Sequence, residues 1–274
     1  MKKKEEAKYL DKEWHEMNVH LKAFLASGDQ EELHRFRVQI KKLRAMLSLF
    51  EDASGKPGLL RDFKPVKKIF KHAGVIREAH INLQLSERYE LKNDVFESGQ
   101  QKIMEEGTNE FKLKGKKFIK NLKASYANLR KQLPRVPDNS IAAYYKKQLH
   151  EIAVNFTVSG FSEDMHTNRK LIKILVYNHK LAEHALNGAV PFNTEYLDKL
   201  QGAIGEWHDN LVAAQLFSSP ELNDKPVVTK INKKNAGIKR KISSLADDFF
   251  KKATTAAGSD DDNSKLITAV AHGN

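Results

Sequence analysis

The chain has 274 residues, 40% of them hydrophobic, which is enough for one large domain or two small ones with a buried core. It has no cysteine, no apolar run near the ~18 residues that span a bilayer and no apolar secretory segment at its start, so thiolate chemistry is excluded and we expect a cytoplasmic protein. The formal net charge of +12, from 47 Lys and Arg against 35 Asp and Glu, predicts a polyanionic partner: nucleic acid, an acidic membrane surface or a phosphate polymer.

Apolar residues recur at helical spacing along most of the chain, which predicts an all-α protein. The expected helices cover about residues 5–26, 30–52, 61–92, 95–132, 139–159, 163–187, 194–217 and 228–252. Asp29 with Glu32 resembles a capping box at the second helix, and Ser162 is a candidate N-cap for the sixth. The segment LPRVPDN, residues 133–139, divides the helices into four and four. Residues 253–274 form a polar tail that we expect to be disordered.

A basic stripe borders the apolar face of the second helix. Its members fall within about 80° of one another on a helical wheel, and they are His34, Arg37, Lys41 and Arg44. Residues 33–50 contain no Asp or Glu, so these like charges repel by about a few tenths of a kcal/mol per pair. Most charge runs are solvated helix faces, which is the alternative interpretation here. The absence of acids favours a ligand site instead.

The same stripe recurs in the second half of the chain. The stretch HTNRKLIKILVYNHKL, residues 166–181, follows the first at an offset of 132, and residues 165–182 again contain no acid. The matched pairs are His34 with His166, Arg37 with Arg169, and Lys41 with Lys173, and the second stripe is extended by Lys170, Tyr177 and Lys180.

A second matched segment follows each stripe. AGVIREAHINLQL from residue 73 corresponds to IGEWHDNLVAAQL from residue 204, which pairs Gly74 with Gly205 and Glu78 with Asp209. The repeat predicts two equivalent four-helix units, at about residues 5–132 and 139–252, related by an approximate two-fold axis.

The matched histidines have several open roles. A hydrogen bond to phosphate is the favoured role of His34 and His166, with structural packing, metal ligation and phosphotransfer as alternatives. The chain has no glycine-rich phosphate loop, no HExxH or HxxxH pair and no nucleophile elbow, so we expect neither a catalytic residue nor a metal site.

Other helices carry looser rows of cations, and each row alone is typical of a solvated face. These rows contribute to an anion site only where they face the two stripes. The secondary candidates for anion binding are Lys116, Lys120, Lys123, Lys180 and Lys234.

The stretches HRFRVQIKKLRA and HTNRKLIKILVY resemble the two signature helices of the CHAD family, the conserved histidine α-helical domain. IGEWHD is similar to the LGxxxD run that accompanies the second signature, and the resemblance covers about residues 5–252, so residues 1–252 are expected to form one CHAD domain. The resemblance implies two four-helix bundles about a pseudo-two-fold axis, packed around a central basic cavity or channel that binds inorganic polyphosphate. The residues it implies as the lining are His34, Arg37, Lys41, Lys42, Arg44, His166, Arg169, Lys170, Lys173 and Tyr177.

The chain departs from the family pattern at three places. Glu78 and His80 stand where aspartates are usual, and Val176 stands where an arginine is common. Relatives that carry an N-terminal triphosphate tunnel domain show a strand of alternating glutamates. This chain begins with a predicted helix, so we expect a stand-alone module.

The resemblance implies polyphosphate binding without catalysis, without a cofactor and without membrane contact, and targeting to polyphosphate granules is compatible with it. Phosphate or sulfate ions can occupy such a site. A nucleic-acid-binding module is the main alternative, although Tyr177 is the only aromatic residue in the stripes that could stack on a base. A phosphatase or phosphotransfer enzyme is the third. The sequence leaves the oligomeric state open.

Overall fold

The computed structural model describes residues 3–158 and 163–255, and within these ranges it contains helices and connections but no strand. The predicted all-α fold is confirmed. The chain divides into two compact units, the first formed by residues 1–137 and 212–231, and the second by residues 138–211 and 232–274.

Unit 1 contains most of the N-terminal half of the chain. Its helices are α1 (Lys3–Ser27), α2 (Gln30–Ser54), α3 (Leu59–Asp62), α4 (Lys64–Arg88), α5 (Asp94–Leu113) and α6 (Gly115–Gln132). The end of α9 and the start of α10, within residues 212–231, also belong to it. Phe217 on that segment packs its ring 5.3 Å from the ring of Tyr89.

Unit 2 contains the remaining helices and their connections. They are α7 (Asp138–Val158), α8 (Glu163–Leu186), α9 (Thr194–Phe217), α10 (Lys225–Ala246) and α11 (Phe249–Ala253). Tyr145 on α7 is fully buried and donates its hydroxyl hydrogen to the carbonyl of Leu175 on α8 at 2.9 Å. The ring of Tyr145 also packs edge to face on Phe192 at 5.3 Å.

Three predicted helices are each divided in two. The third breaks at Phe63 because Pro65, in the first turn of α4, has no N–H to continue the preceding helix. The fourth breaks at Lys114, next to Gly115, whose missing Cβ admits Leu25: a Cβ there would lie 2.9 Å from the Leu25 side chain. The last breaks at Asp248, whose φ of 47° is left-handed.

The predicted capping box at α2 is half formed. The Asp29 carboxylate accepts hydrogen bonds from the N–H of Glu31 at 2.7 Å and of Glu32 at 3.0 Å, so the N-cap is confirmed. The Glu32 carboxylate instead contacts His20 at 2.8 Å, and the N–H of Asp29 donates to the Ser27 hydroxyl. The predicted cap at Ser162 and the predicted tail from residue 256 lie outside the described residues. Ala253, predicted as tail, is buried in α11.

The core of unit 1 is organised around Phe111 on α5. Its ring is fully buried and lies 4.7 to 6.5 Å, centroid to centroid, from rings on four other helices. Those rings are Phe24 on α1, Phe36 on α2, His72 on α4 and Phe118 on α6. Because Phe36 is fixed in this cluster, the neighbouring basic side chains of α2 have a set direction.

Replacing Phe111 by Ala should lower the free energy of unfolding by about 3 to 5 kcal/mol, because the change leaves a cavity where five helices meet. Leu113→Ala is the matched control on the same helix, since Leu113 is 86% exposed, and it should change stability by under about 0.5 kcal/mol. Urea denaturation followed by circular dichroism measures both. Equal effects of the two changes would contradict the assignment of this cluster as the core.

Candidate functional site

The basic stripe of α2 lies against a buried apolar face, as predicted. Leu33, Phe36 and Leu43 are fully buried, and Ile40 is 3% exposed. The degree of burial differs along the stripe: His34 and Arg37 are half-buried, whereas Lys41 and Arg44 are exposed. Lys42, next to the stripe, is also half-buried. The N-terminal half of the stripe is therefore less accessible to solvent than its C-terminal half.

Arg37 lies against the backbone of α4. Its Nη1 donates to the carbonyl oxygen of Phe70 at 2.7 Å, and its Cζ lies 4.1 Å from the centroid of the Phe70 ring. Gly74 is one helical turn further along α4, and a Cβ built on it would lie 3.1 Å from Arg37 Nη1. The guanidinium is thus held on a helix carbonyl by a charged hydrogen bond and a ring contact.

Arg169 makes the equivalent contact inside unit 2. Its Nε donates to the carbonyl oxygen of Gln201 on α9 at 3.3 Å. Gly205 is one turn further along, and a Cβ built on it would lie 2.7 Å from Arg169 Nη2. Phe70 and Gln201 correspond at the same offset of 131 as Gly74 and Gly205. The repeat seen in the sequence therefore extends to one arginine-to-carbonyl contact in each unit.

The residue three positions after each glycine lowers the pKa of the matched histidine. In unit 1 this residue is Arg77. Burial lowers the pKa of His34, and the positive charge of Arg77 lowers it further. Lys41 and Arg37 act in the same direction, while Glu31 opposes them.

In unit 2 the corresponding residue is His208. Its ring stacks on that of His166 with centroids 4.2 Å apart and an angle of 18°. Burial lowers the pKa of His166 most. The nearby groups that lower it further are His208, Lys170 and Arg169, while Asp209 raises it. Sequence reasoning did not select Arg77 or His208, although their matched place after the two glycines was a usable signal.

Lys173 and Tyr177 continue the stripe along α8. The Lys173 ammonium lies 5.8 Å from the centroid of the Tyr177 ring. Burial lowers the pKa of Lys173, as does Arg169, while Asp209 and Asp198 raise it. Burial also raises the pKa of Tyr177, so this hydroxyl stays protonated at neutral pH.

Two of the predicted cations are engaged by carboxylates. The Nζ of Lys42 lies 3.8 Å from Oε2 of the buried Glu13, and the Nζ of Lys234 lies 2.8 Å from Oε1 of Glu206. Among the side chains described, those of residues 5–157 and 165–255, no carboxylate oxygen lies within 4.0 Å of the charged nitrogens of the following residues: Arg37, Arg44, Arg169, Lys170 and Lys173. The arginines of the stripes are therefore not neutralised by acids from the described neighbours.

The other secondary candidates are exposed lysines. Lys116, Lys120 and Lys123 are exposed on α6, which packs against α1, α3, α4 and α5. Lys180 is exposed on α8. Among the described residues, no group of three or more His, Asp or Glu side chains is placed to hold a metal ion.

The architecture and this site define an all-α protein with a repeated basic motif. The CHAD domain model matches residues 8–218, and the chain belongs to the CHAD family. A solved structure, the crystal structure of the CHAD domain from the plant Ricinus communis, is similar with a TM-score of 0.63. The two sequences are 15% identical, and the match covers 89% of this chain and 91% of the plant domain. At this identity the likeness shows the fold alone.

No curated protein matches the chain. In the part of the chain that the structure describes, no helix has the length and apolar character needed to cross a bilayer.

Arg77→Gln should raise the pKa of His34 and of His80, because it removes a like charge that lowers both. Histidine titration by NMR measures the shift. The control is Arg88→Gln, which removes an exposed charge from the last turn of the same helix and should leave both values in place. The same pKa of His34 in the wild type and in Arg77→Gln would show that Arg77 does not face this imidazole.

Proposed function

We propose that the chain binds inorganic polyphosphate, without modifying it, through the basic stripes centred on Arg37 and Arg169. The observation that carries the proposal is the half-buried arginine held on a helix carbonyl in each unit, with no described carboxylate in contact with either guanidinium. Membership of the CHAD family supports it. The pseudo-two-fold packing of two bundles around a basic channel, which the family resemblance implies, stays a prediction.

The chemistry of the two arginines suits a phosphate chain. A guanidinium carries five N–H donors, of which Arg37 engages one at Nη1 and Arg169 one at Nε. The remaining donors can bind two phosphate oxygens side by side. Lys41, Lys170 and Lys173 add point charges, so a polymer with about one charge per phosphate gains many modest contacts and releases counterions.

The histidines couple this binding to protons. Their pKa values are lowered in the free protein, so His34 and His166 are mainly neutral at neutral pH. A bound polyanion favours the imidazolium form, so binding takes up protons when the pH is lowered. Lower pH has an unfavourable effect on the stability of the ligand-free fold, in contrast to its favourable effect on binding. The same histidines have an ordinary, higher pKa in the unfolded chain, which therefore binds more protons as the pH falls, and acidification destabilises the fold.

A nucleic-acid role is less well supported by the described residues. Proteins that bind single strands present exposed aromatic rings for the bases, whereas Tyr177 is half-buried. Titration with increasing salt, in competition between polyphosphate and DNA, separates the two partners. Incubation with long-chain polyphosphate and magnesium, with phosphate release as the readout, tests the proposed absence of catalysis.

Arg37→Ala combined with Arg169→Ala should weaken polyphosphate binding by about a hundredfold or more, because each change removes charged hydrogen bonds worth about 1.5 to 3 kcal/mol. The matched control is Arg35→Ala with Arg240→Ala, which also removes two of the 12 excess positive charges but from exposed positions outside the stripes. Calorimetric titration at one salt concentration compares the two variants. Equal weakening would mean that net charge alone attracts the polymer, and no weakening would remove the site assignment.

Lowering the pH from about 7.5 to about 6 should strengthen polyphosphate binding with net proton uptake. The uptake is counted by calorimetry in two buffers of different ionisation enthalpy. His34→Gln with His166→Gln should abolish most of it, while His15→Gln with His150→Gln, two exposed histidines outside the stripes, should leave it intact. Proton release on binding would contradict the role given to the histidines.

A further inference from the structure

Gly74 and Gly205 are among the glycines in helix interiors, where glycine lowers helix stability relative to alanine. Gly74 lies within α4 and Gly205 within α9, and both have φ outside the left-handed region. Neither position requires glycine for its backbone conformation. Gly202, three residues before Gly205 on the same helix, has no heavy atom within 4 Å of the place where its Cβ would be. Gly74 and Gly205 differ from Gly202 because a side chain of another helix lies close to the place where each of their Cβ atoms would be.

That neighbour is the guanidinium of the signature arginine in both units. A Cβ on Gly205 would lie 2.7 Å from Nη2, 3.0 Å from Nε and 3.1 Å from Cζ of Arg169. A Cβ on Gly74 would lie 3.1 Å from Nη1 of Arg37, with Cζ and Nη2 at 4.0 Å. An alanine at Gly205 would force the guanidinium to move, and one at Gly74 would crowd a single nitrogen.

Helix geometry explains why the glycine follows the carbonyl by four residues. In an α-helix each Cα–Cβ bond tilts toward the N-terminus, so a side chain covers the turn before its own Cα. The carbonyl of Phe70 lies in the turn below Gly74, and that of Gln201 in the turn below Gly205. A carbonyl already bonded within the helix keeps a second lone pair, which only an absent Cβ leaves open to an arginine.

We propose that Gly74 and Gly205 are positioning residues that act through Arg37 and Arg169. Their missing Cβ atoms let each guanidinium rest on a helix carbonyl, which fixes the direction of its remaining N–H donors toward the phosphate chain. A guanidinium held in this way loses less rotational freedom when a phosphate binds. The inference rests on the proposed polyphosphate binding and adds the device that orients its arginines.

Gly205→Ala should weaken binding of long-chain polyphosphate by about tenfold, as expected when one charged hydrogen-bonding group loses its orientation. Gly74→Ala should weaken it less, because its Cβ meets one nitrogen at 3.1 Å. Gly202→Ala is the matched control and should leave the affinity unchanged. The melting temperature of Gly205→Ala should stay level or rise, since alanine favours the helix and the displaced group is the end of a flexible side chain. A fall in both affinity and melting temperature would indicate ordinary packing and overturn the proposal.

Two further measurements separate the outcomes. In the Arg169→Ala background, adding Gly205→Ala should cause no further loss of affinity, and a full further loss would overturn the proposed action through Arg169. Without any ligand, the NMR signal of the Arg169 Nε–H should change in Gly205→Ala and be preserved in Gly202→Ala. If the arginine variants bind polyphosphate as the wild type does, the proposed function fails. If they lose binding while Gly205→Ala matches Gly202→Ala, only the glycine inference fails.

Discussion

The site depends on a contact between one arginine and the backbone of a neighbouring helix, made once in each unit. A half-buried guanidinium loses hydration, and burial lowers the pKa of Arg37 for that reason. The carbonyl of Phe70 and the face of its ring replace part of the lost water. The contact therefore holds a positive charge in a partly buried place, and no carboxylate of a described side chain lies within 4.0 Å of that charge. An unpaired cation of this kind can attract an external anion.

Two acids near the stripes favour the charged forms of stripe residues without an ion pair to them. Glu78 favours the charged form of Arg37, and Asp209 does the same for His166 and Lys173. These two acids occupy matched positions in the repeat. The glutamate that stands where the family usually has an aspartate thus keeps an electrostatic role in unit 1.

The two units reach the same contact with different supporting side chains. In unit 1 a phenylalanine supplies both the carbonyl and a ring beneath the guanidinium, whereas in unit 2 a glutamine supplies the carbonyl alone. The side chain next to the signature histidine is a guanidinium, Arg77, in one unit and a stacked imidazole ring, His208, in the other. The two units therefore share the arginine contact but differ in the side chains around it.

Several features of this protein followed from the sequence by itself, because they depend on spacing along one helix or on self-similarity. The period of apolar residues predicted the all-α fold and the buried side of α2, and the acid-free stripes with their offset of 132 predicted the matched basic residues. The helix breaks at Lys114 and Asp248 were missed, because the backbone changes at single residues, and the left-handed φ of Asp248 is not encoded by a glycine.

Only the tertiary structure decided what the arginines touch. Arg37 and the carbonyl it binds are 33 residues apart, and Arg169 and its carbonyl 32 apart. Every residue carries a backbone carbonyl, so the acceptor leaves no residue type in the sequence and can be Phe70 in one unit and Gln201 in the other. The one trace left in the sequence is the glycine four positions later, where the absence of a side chain makes room for the guanidinium.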